Sequence, residues 1–333
     1  MTSKIVSNSR HSAALLLAGT LAWCGMPASA LAQAQDASGE PLRLIIPYEP
    51  GGSVDLVGRG IAQRYTKQTG VTVIVENRAG AGGAIAAAAV ARSPKDGKTL
   101  LLHTGTLTVE SAAGKKVPYV LMKDLVPITK VADGPFALVV NTAFPANDLT
   151  ELVKQAKANP GKFNYSSAGL GSSTNLAMEI FKERTGIDVI HVPYKGGSPS
   201  LNAVMAGEVQ MAFSPLINAK PYSESGRLRA LSTSTPKRAT LWPDLPSSAE
   251  SGVPNFNTNV WFGLFAPSGV PDATMAKLAS DFRAVINAEE TQQWLHEQGL
   301  EAVGDSPADF RKSLQAEIET LTATITKAGI KLN

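Results

Sequence analysis

The sequence contains almost no cysteine, and this scarcity limits its chemistry. Among 333 residues Cys24 is the single cysteine, and it lies inside an apolar segment near the N-terminus. Lipid attachment to Cys24 would need a small residue directly before it, and Trp23 occupies that position. Once the N-terminal segment is removed, the remaining chain has no disulfide, no thiol nucleophile and no thiolate ligand for a metal.

Long apolar runs are also missing. The longest N-terminal run, SAALLLAGTLAWCGM, is too short to span a bilayer, and no later stretch is apolar enough to do so. Lys4 and Arg10 precede this run and the small residues of ASALAQAQ follow it, which is the three-part pattern of a secretory signal peptide. We therefore predict that residues 1–34 are a signal peptide, cleaved near Ala30 to Ala34.

Excess charge and metal-binding patterns are absent from the mature sequence. Removing Lys4 and Arg10 lowers the formal charge from +3 to +1, with 29 basic against 28 acidic residues. This near-neutral balance, without basic runs, argues against nucleic acid or an anionic membrane surface as a partner. The mature histidines are His103, His191 and His296, and none has a second ligand at metal-binding spacing. Neither a metal nor a cofactor is expected.

Strand and helix patterns alternate along the rest of the chain. Apolar strands such as PLRLII, VTVIVE and KTLLL alternate with Gly-rich or Thr/Gly turns and helices, which indicates parallel strands covered by helices. Such units occupy residues 42–133 and 160–235, joined by apolar strands near 136–142 and 260–266. The sequence therefore predicts an α/β protein of two lobes, with 35–135 and 265–333 as the first lobe, 141–259 as the second, and 136–140 and 260–264 as crossing strands.

The stretch SSAGLGSST, residues 166–174, is compatible with several kinds of site. No lysine follows Gly171, as a phosphate-binding loop would require, and no acidic residue ends the next strand, as a dinucleotide site would require. The Gly-x-Ser-x-Gly turn of many serine hydrolases does not occur. A hydrolase that uses Ser167 or Ser172 with His103 as its base is the enzymatic alternative.

Several similar loops favour binding of an anion instead. PYEPGGSVD (47–55), AGAGG (79–83) and TGT (104–106) are further Gly-rich or hydroxyl-rich turns, the first two of which run into helices. Unpaired amides at helix N-termini, together with the helix dipole, attract a carboxylate. Loops of this kind in both lobes would hold a dicarboxylate at both ends. The alternative is that these glycines and hydroxyls only cap helices and form tight turns.

Six motifs, in order from Pro41 to the end of the chain, resemble those of Bug-type periplasmic substrate-binding proteins of the tripartite tricarboxylate transporters. They are PLRLIIPYEPGGSVDLVGR, VIVENRAGAGGAIAAAAVARSPKDGKTLL, ANPGKFNYSSAGLGSSTNLAMEIFK, HVPYKGGSPSLNAVMAGEVQMAF, GRLRALSTSTPKR and WFGLFAPSG. The resemblance implies a periplasmic, non-enzymatic, monomeric receptor of type II-like Venus flytrap fold. It further implies that each lobe is a sheet flanked by helices, that a carboxylate binds in the cleft between the lobes, and that membrane permease subunits receive it. A sensor is the alternative recipient.

The resemblance also implies which residues bind the ligand. In the first lobe these are Tyr48, Gly51, Gly52, Ser53, Asp55, Gly82, Gly83, Thr104 and Thr106, and in the second lobe Ser167, Ala168, Gly169, Gly171, Ser172, Thr174, Asn175, Tyr194, Lys195 and Ser214.

Departures from the family pattern refine the expected ligand. Asn175 stands where relatives often have histidine, and Ser214 where many have aspartate. Without that aspartate a ligand ammonium group has no partner and a second carboxylate meets no repulsion, which favours a dicarboxylate over an amino acid. Tyr48 and Trp261 are candidates for stacking on an aromatic dicarboxylate such as terephthalate.

Overall fold

A computed structural model describes residues 40–332, in which strands and helices alternate. The predicted signal peptide lies outside the described residues. Within residues 40–332, none of the helices is both long enough and apolar enough to cross a bilayer.

The first lobe is built on a mixed sheet. Its parallel part consists of β1 (Leu42–Ile46) between β2 (Val73–Asn77) and β3 (Thr99–Thr104). The strand β9 (Asn259–Pro267) pairs antiparallel with β3 and with the first part of β4 (Leu125–Asn141), and the short β10 (Glu301–Ala302) pairs antiparallel with β4. The sheet order is therefore β2-β1-β3-β9-β4-β10.

The second lobe has its own sheet, of order β8-β4-β7-β5-β6. Its parallel strands are β5 (Asn164–Ser167), β6 (Ile190–Pro193) and β7 (Met211–Pro215). Both β7 and β8 (Leu228–Thr233) run antiparallel to the second part of β4.

One strand, β4, belongs to both sheets. Its residues Leu125 to Pro135 pair with β9, whereas Phe136 to Val140 pair with β7. Pro135 stands at the change of partner and has no N–H to donate to a ladder, so continuous pairing is interrupted there. This connection produces the two-lobed α/β architecture that the sequence predicts.

Helices flank each sheet. The first lobe has α1 (Ser53–Thr69), α2 (Ala84–Ala91), α3 (Thr106–Ala112), α8 (Asp272–Ile286), α9 (Glu289–Glu297) and α10 (Pro307–Ala328). The second lobe has α4 (Leu149–Ala158), α5 (Ser173–Thr185), α6 (Gly197–Ala206) and α7 (Leu216–Glu224). Asp148 accepts a hydrogen bond from the Glu151 N–H at 2.8 Å and fixes the start of α4.

Candidate functional site

The predicted loops of the two lobes lie directly against each other at the carboxyl ends of the parallel strands. Gly169 has φ +135°, and a Cβ added to it would lie 3.1 Å from Gly82 Cα. The Glu49 N–H of the first lobe donates to Lys195 O of the second at 3.3 Å. The glycines therefore permit a close approach of two backbones, since a Cβ at position 169 would be crowded against Gly82.

Thr106 is the point where side chains and backbone of both lobes meet. Its Oγ1 lies 3.0 Å from Tyr48 Oη and 3.1 Å from Thr104 Oγ1. The Ser173 N–H, at the first turn of α5, donates to the same Oγ1 at 3.3 Å. Three predicted residues and Ser173 therefore form one polar cluster that links the lobes.

A cavity of about 30 Å³ lies beside this cluster and is lined by residues of both lobes. This volume accommodates about two water molecules. A dicarboxylate is several times larger, so binding one requires the loops to separate. The lining consists of Tyr48, Gly52, Ser53, Val54, Asp55, Thr104, Phe136, Ala168, Ser173, Thr174, Gly197, Pro215 and Val260.

A larger cavity of about 270 Å³ adjoins the small one and shares Phe136 and Ser173 with it. It lies between α5 and α10, and its wall includes the carboxylate of Glu317. Each cavity therefore has one carboxylate in its wall, Glu317 in the larger and Asp55 in the small one. Seven of the predicted ligand-binding residues line the small cavity and none lines the larger one, so we place the candidate carboxylate site at the small cavity.

Residues 168–172, which we call the ligand loop, use most of their own amides internally. The Ala168 N–H donates to Thr174 Oγ1 at 3.0 Å, the Gly169 N–H to Ser167 Oγ at 3.1 Å, and the Gly171 N–H to Asn175 Oδ1 at 2.9 Å. These side chains thus hold the loop in shape. The Ser173 N–H, in contrast, points across to the first lobe.

Asp55 and Tyr48 have distinct roles in the first-lobe loops. Burial opposes ionisation of Asp55, but hydrogen bonds from Arg59, the Gly51 N–H and Asn77 outweigh it and lower the pKa of that carboxyl. Asp55 is therefore an ionised anchor of its loop. Burial raises the pKa of Tyr48 to about 12, so its phenol stays neutral and can donate a hydrogen bond.

The candidates that do not line the small cavity include Tyr194, Lys195, Ser214 and Trp261. The Tyr194 hydroxyl donates to Glu208 at 3.2 Å, and the Lys195 side chain is exposed. Ser214 is buried on β7, with its Oγ 3.5 Å from Pro215 O. Trp261, suggested as a stacking residue, is buried in the core, where its Nε1–H donates to Glu317 at 2.8 Å.

His103 is not placed to act as a base for the predicted serines. It is fully buried, and its Nδ1 accepts the Thr104 N–H at 2.8 Å. The imidazole bonded to Ser167 is that of His191, with Nε2 2.6 Å from Ser167 Oγ. Ser167 is itself completely buried, so this contact is structural and gives no exposed nucleophile.

Two contacts between the lobes were missed by sequence reasoning. Ser173 lies between Ser172 and Thr174, both predicted, and nothing in a run of hydroxyl residues shows which amide donates to the other lobe. Lys115 Nζ donates to Glu110 Oε1 at 2.8 Å and to Leu170 O of the ligand loop at 3.1 Å. The sequence GKK gives no signal that separates Lys115 from Lys116.

Metal binding finds no support in the side-chain arrangement. Across the part of the chain that the structure describes, no group of three His, Cys, Asp or Glu residues is placed to hold a metal ion.

Comparisons with known proteins identify relatives of this chain. The family model described as tripartite tricarboxylate transporter family receptor, TctC, matches residues 57–330. The protein BugT of Bordetella pertussis is 33% identical over 294 residues, covering 88% of this chain and 90% of BugT.

Two solved structures superpose closely. Rpa4515 of R. palustris, solved with adipate, has a TM-score of 0.84 and 32% identity and covers 89% of this chain and 99% of that one. MatC (Rpa3494) of Rhodopseudomonas palustris, solved with bound malate, has a TM-score of 0.82 and 28% identity, covering 86% of this chain and 99% of that one.

Proposed function

By its match over residues 57–330 this chain belongs to the tripartite tricarboxylate transporter receptor family, and we propose that it binds a small dicarboxylate between its lobes and delivers it to membrane subunits of such a transporter. Receptors of this family are solute-binding proteins of the periplasm and not enzymes, which removes the hydrolase alternative. The signal peptide over residues 1–34 and a monomeric state are part of the proposal.

The observation that carries this proposal is the convergence of helix N-termini on one small cavity. The first residues of α1, α5 and α6, which are Ser53, Ser173 and Gly197, all line it, and Pro215 directly precedes α7. Each N-terminus has amides without an acceptor inside its own helix and carries partial positive charge, so helices of both lobes favour an anion at the same place. Backbone amides and hydroxyls suit a carboxylate because charge-assisted hydrogen bonds are strong.

A dicarboxylate is favoured because the anion-attracting groups come from both lobes. The two solved relatives contain adipate and malate, which are both dicarboxylates. The aromatic side chains in the lining are Tyr48 and Phe136. They support an aromatic dicarboxylate, such as terephthalate, as the ligand.

Closure of two lobes around the ligand is the proposed mechanism. We take residues 35–135 and 265–333 as one lobe, 141–259 as the other, and 136–140 and 260–264 as the crossing strands. A ligand that touches both lobes stabilises the closed arrangement, since it makes more contacts there. The closed form would then be recognised by the permease, or by a sensor in the alternative that the sequence leaves open.

A thermal-shift screen of the purified protein tests this function. We expect at least one of adipate, malate and terephthalate to raise Tm by several degrees, because a ligand that binds only the native state stabilises it. Adipamide, which has the length of adipate without its charges, is the matched control and should leave Tm unchanged. The absence of a shift across aliphatic and aromatic mono-, di- and tricarboxylates would contradict the proposal.

A further inference from the structure

The ligand loop is held by two separate chains of contacts, and both begin at one buried ring. Tyr165 lies on β5, the strand that leads into the loop, and its side chain has no exposed surface. One chain of contacts runs from its hydroxyl and the other from its ring face. They end at different glycines of the loop, Gly171 and Gly169.

The first chain of contacts runs through Asn175. The Tyr165 hydroxyl donates to Glu179 Oε1 at 2.5 Å, so it can only accept from the Asn175 Nδ2–H, which lies 2.8 Å away. This fixes the orientation of the Asn175 amide, whose Oδ1 then accepts the Gly171 N–H at 2.9 Å. The tyrosine hydroxyl thereby determines how Gly171 is held.

The second chain of contacts runs through His191 and Ser167. The His191 ring stacks on Tyr165 with centroids 4.8 Å apart and an interplanar angle of 18°. Ser167 Oγ donates its single proton to Gly169 O at 3.0 Å and accepts the Gly169 N–H at 3.1 Å. His191 Nε2 lies 2.6 Å from Ser167 Oγ, and with the serine proton directed to Gly169 O the imidazole is the donor in this contact.

Both glycines have backbone conformations that need support. Gly169 has φ +135° and Gly171 has φ +76°, in the region that other residues rarely adopt. Gly169 also lies beside Gly82 of the first lobe, since a Cβ added to it would be 3.1 Å from Gly82 Cα. The two chains of contacts thus act where the ligand loop faces its partner lobe.

We propose that His191 and Tyr165 are positioning residues of the ligand site. His191 holds Gly169 through Ser167, and the Tyr165 hydroxyl holds Gly171 through Asn175. Neither side chain lines the small cavity. Their contribution to affinity comes from ordering the loop before the ligand arrives, so that less conformational freedom is lost on binding. This inference rests on the proposed function of the cleft.

Amide hydrogen exchange of the purified protein, resolved by residue with NMR, tests the two chains of contacts without any ligand. In His191→Phe, which retains an aromatic ring beside Tyr165 but cannot donate, the Gly169 amide should exchange at least ten-fold faster while Gly171 stays protected. In Tyr165→Phe, which keeps the ring and loses the hydroxyl, the Gly171 amide should exchange at least ten-fold faster while Gly169 stays protected. His191→Gln, which restores an amide donor near the position of Nε2, should recover protection of Gly169.

Calorimetric titration with adipate supplies the functional readout. Both phenylalanine variants should bind adipate at least five-fold more weakly than the original protein, and His191→Gln should recover most of that loss. The inference is overturned if each variant accelerates both glycines equally, if neither glycine changes, or if adipate affinity is unchanged despite faster exchange. If the original protein binds no adipate, that result counts against adipate as the ligand of the proposed function, and the exchange pattern alone then supports or overturns the positioning roles.

Discussion

The amide of Ser173 donates a hydrogen bond to Thr106 Oγ1 at 3.3 Å and so joins the first turns of α5 and α3 across the cleft. Thr106 is fully buried, and its Oγ1 also lies 3.0 Å from the Tyr48 hydroxyl. In this structure the Ser173 amide, at a helix N-terminus, donates to a neutral hydroxyl of the opposite lobe. A ligand carboxylate is a stronger acceptor and can replace that hydroxyl as the partner of the amide.

Lys115 should contribute to stability through a buried carboxylate. Glu110 has only 1% of its side chain exposed and accepts from Lys115 and from the Tyr119 hydroxyl. Lys115→Met leaves that charge without its cation, so we expect unfolding free energy to fall by about 3 kcal/mol in urea denaturation. Lys116→Met, at the exposed neighbour, is the matched control and should cost less than about 0.5 kcal/mol.

A double variant checks the reason for that loss. Combining Glu110→Gln with Lys115→Met removes both charges, and the double variant should be more stable than Lys115→Met alone. If the double variant is equally unstable or less stable, the unpaired charge is not the cause.

His103 should make the protein sensitive to acid. Burial lowers its pKa to about 4, whereas the unfolded chain has a histidine pKa of about 6.5. Between these values the unfolded state binds more protons, so stability falls as pH drops through about 6.5 and the loss levels off near 4. At pH 4.5 this effect lowers the free energy of unfolding by about 2–3 kcal/mol relative to neutral pH.

The comparison of His103→Asn with the original protein isolates this effect. Asparagine retains an acceptor for the Thr104 N–H but does not titrate, so its stability curve should fall less between pH 7 and pH 4.5. Parallel curves for His103→Asn and the original protein would contradict the assignment.

Gly83 should tolerate alanine poorly because of His103. Gly83 has φ +107°, and a Cβ there would lie 2.6 Å from His103 Nε2 and 3.2 Å from Pro47 Cβ. Gly70 has φ +76° and no atom within 4 Å of such a Cβ, so it serves as a control for backbone strain alone. We expect Gly70→Ala to cost about 1 kcal/mol and Gly83→Ala about 2–4 kcal/mol in chemical denaturation. If both substitutions lower the free energy of unfolding equally, His103 moves away from the added Cβ at no cost in stability.

The sequence predicts the meeting of the loops because of a general property of parallel strands. Strands β1 and β3 of one lobe and β5, β6 and β7 of the other end in the Gly-rich, hydroxyl-bearing or proline-containing segments found around the cleft. Ligands of open α/β sheets bind at such ends. This is why the loops 47–55, 104–106 and 166–174 could be named from the sequence, whereas Tyr48, Thr106 and Thr174 within them were implied by the resemblance to the family.

Other features were hidden for identifiable reasons. The first part of β4, residues 125–135, was not predicted as a strand because Pro127, Gly134 and Pro135 interrupt it and its register shifts twice against β9. The internal hydrogen bonds of the ligand loop also escaped prediction. A run of serine, glycine and threonine shows that donors and acceptors are present, but their pairing depends on backbone angles and on β6, which supplies His191.

Ser173→Pro tests most directly the central claim that a dicarboxylate binds between the lobes at this contact. Ser173 is the first residue of α5, where proline is favoured, and Ser172 before it has φ −73° and ψ 162°, which proline permits. The variant removes one N–H and fills the space towards Thr106 Oγ1 while leaving the helix intact. Asp272→Pro makes the same change at the exposed start of α8 and is its control.

Isothermal titration with adipate, malate or terephthalate, whichever raises Tm most, gives the decisive comparison. We expect 1:1 binding by the original protein and by Asp272→Pro, and affinity at least ten-fold lower in Ser173→Pro, since a charge-assisted hydrogen bond contributes about 1.5–3 kcal/mol. Unchanged affinity in Ser173→Pro, or no binding of any of the three by the original protein, would contradict the claim.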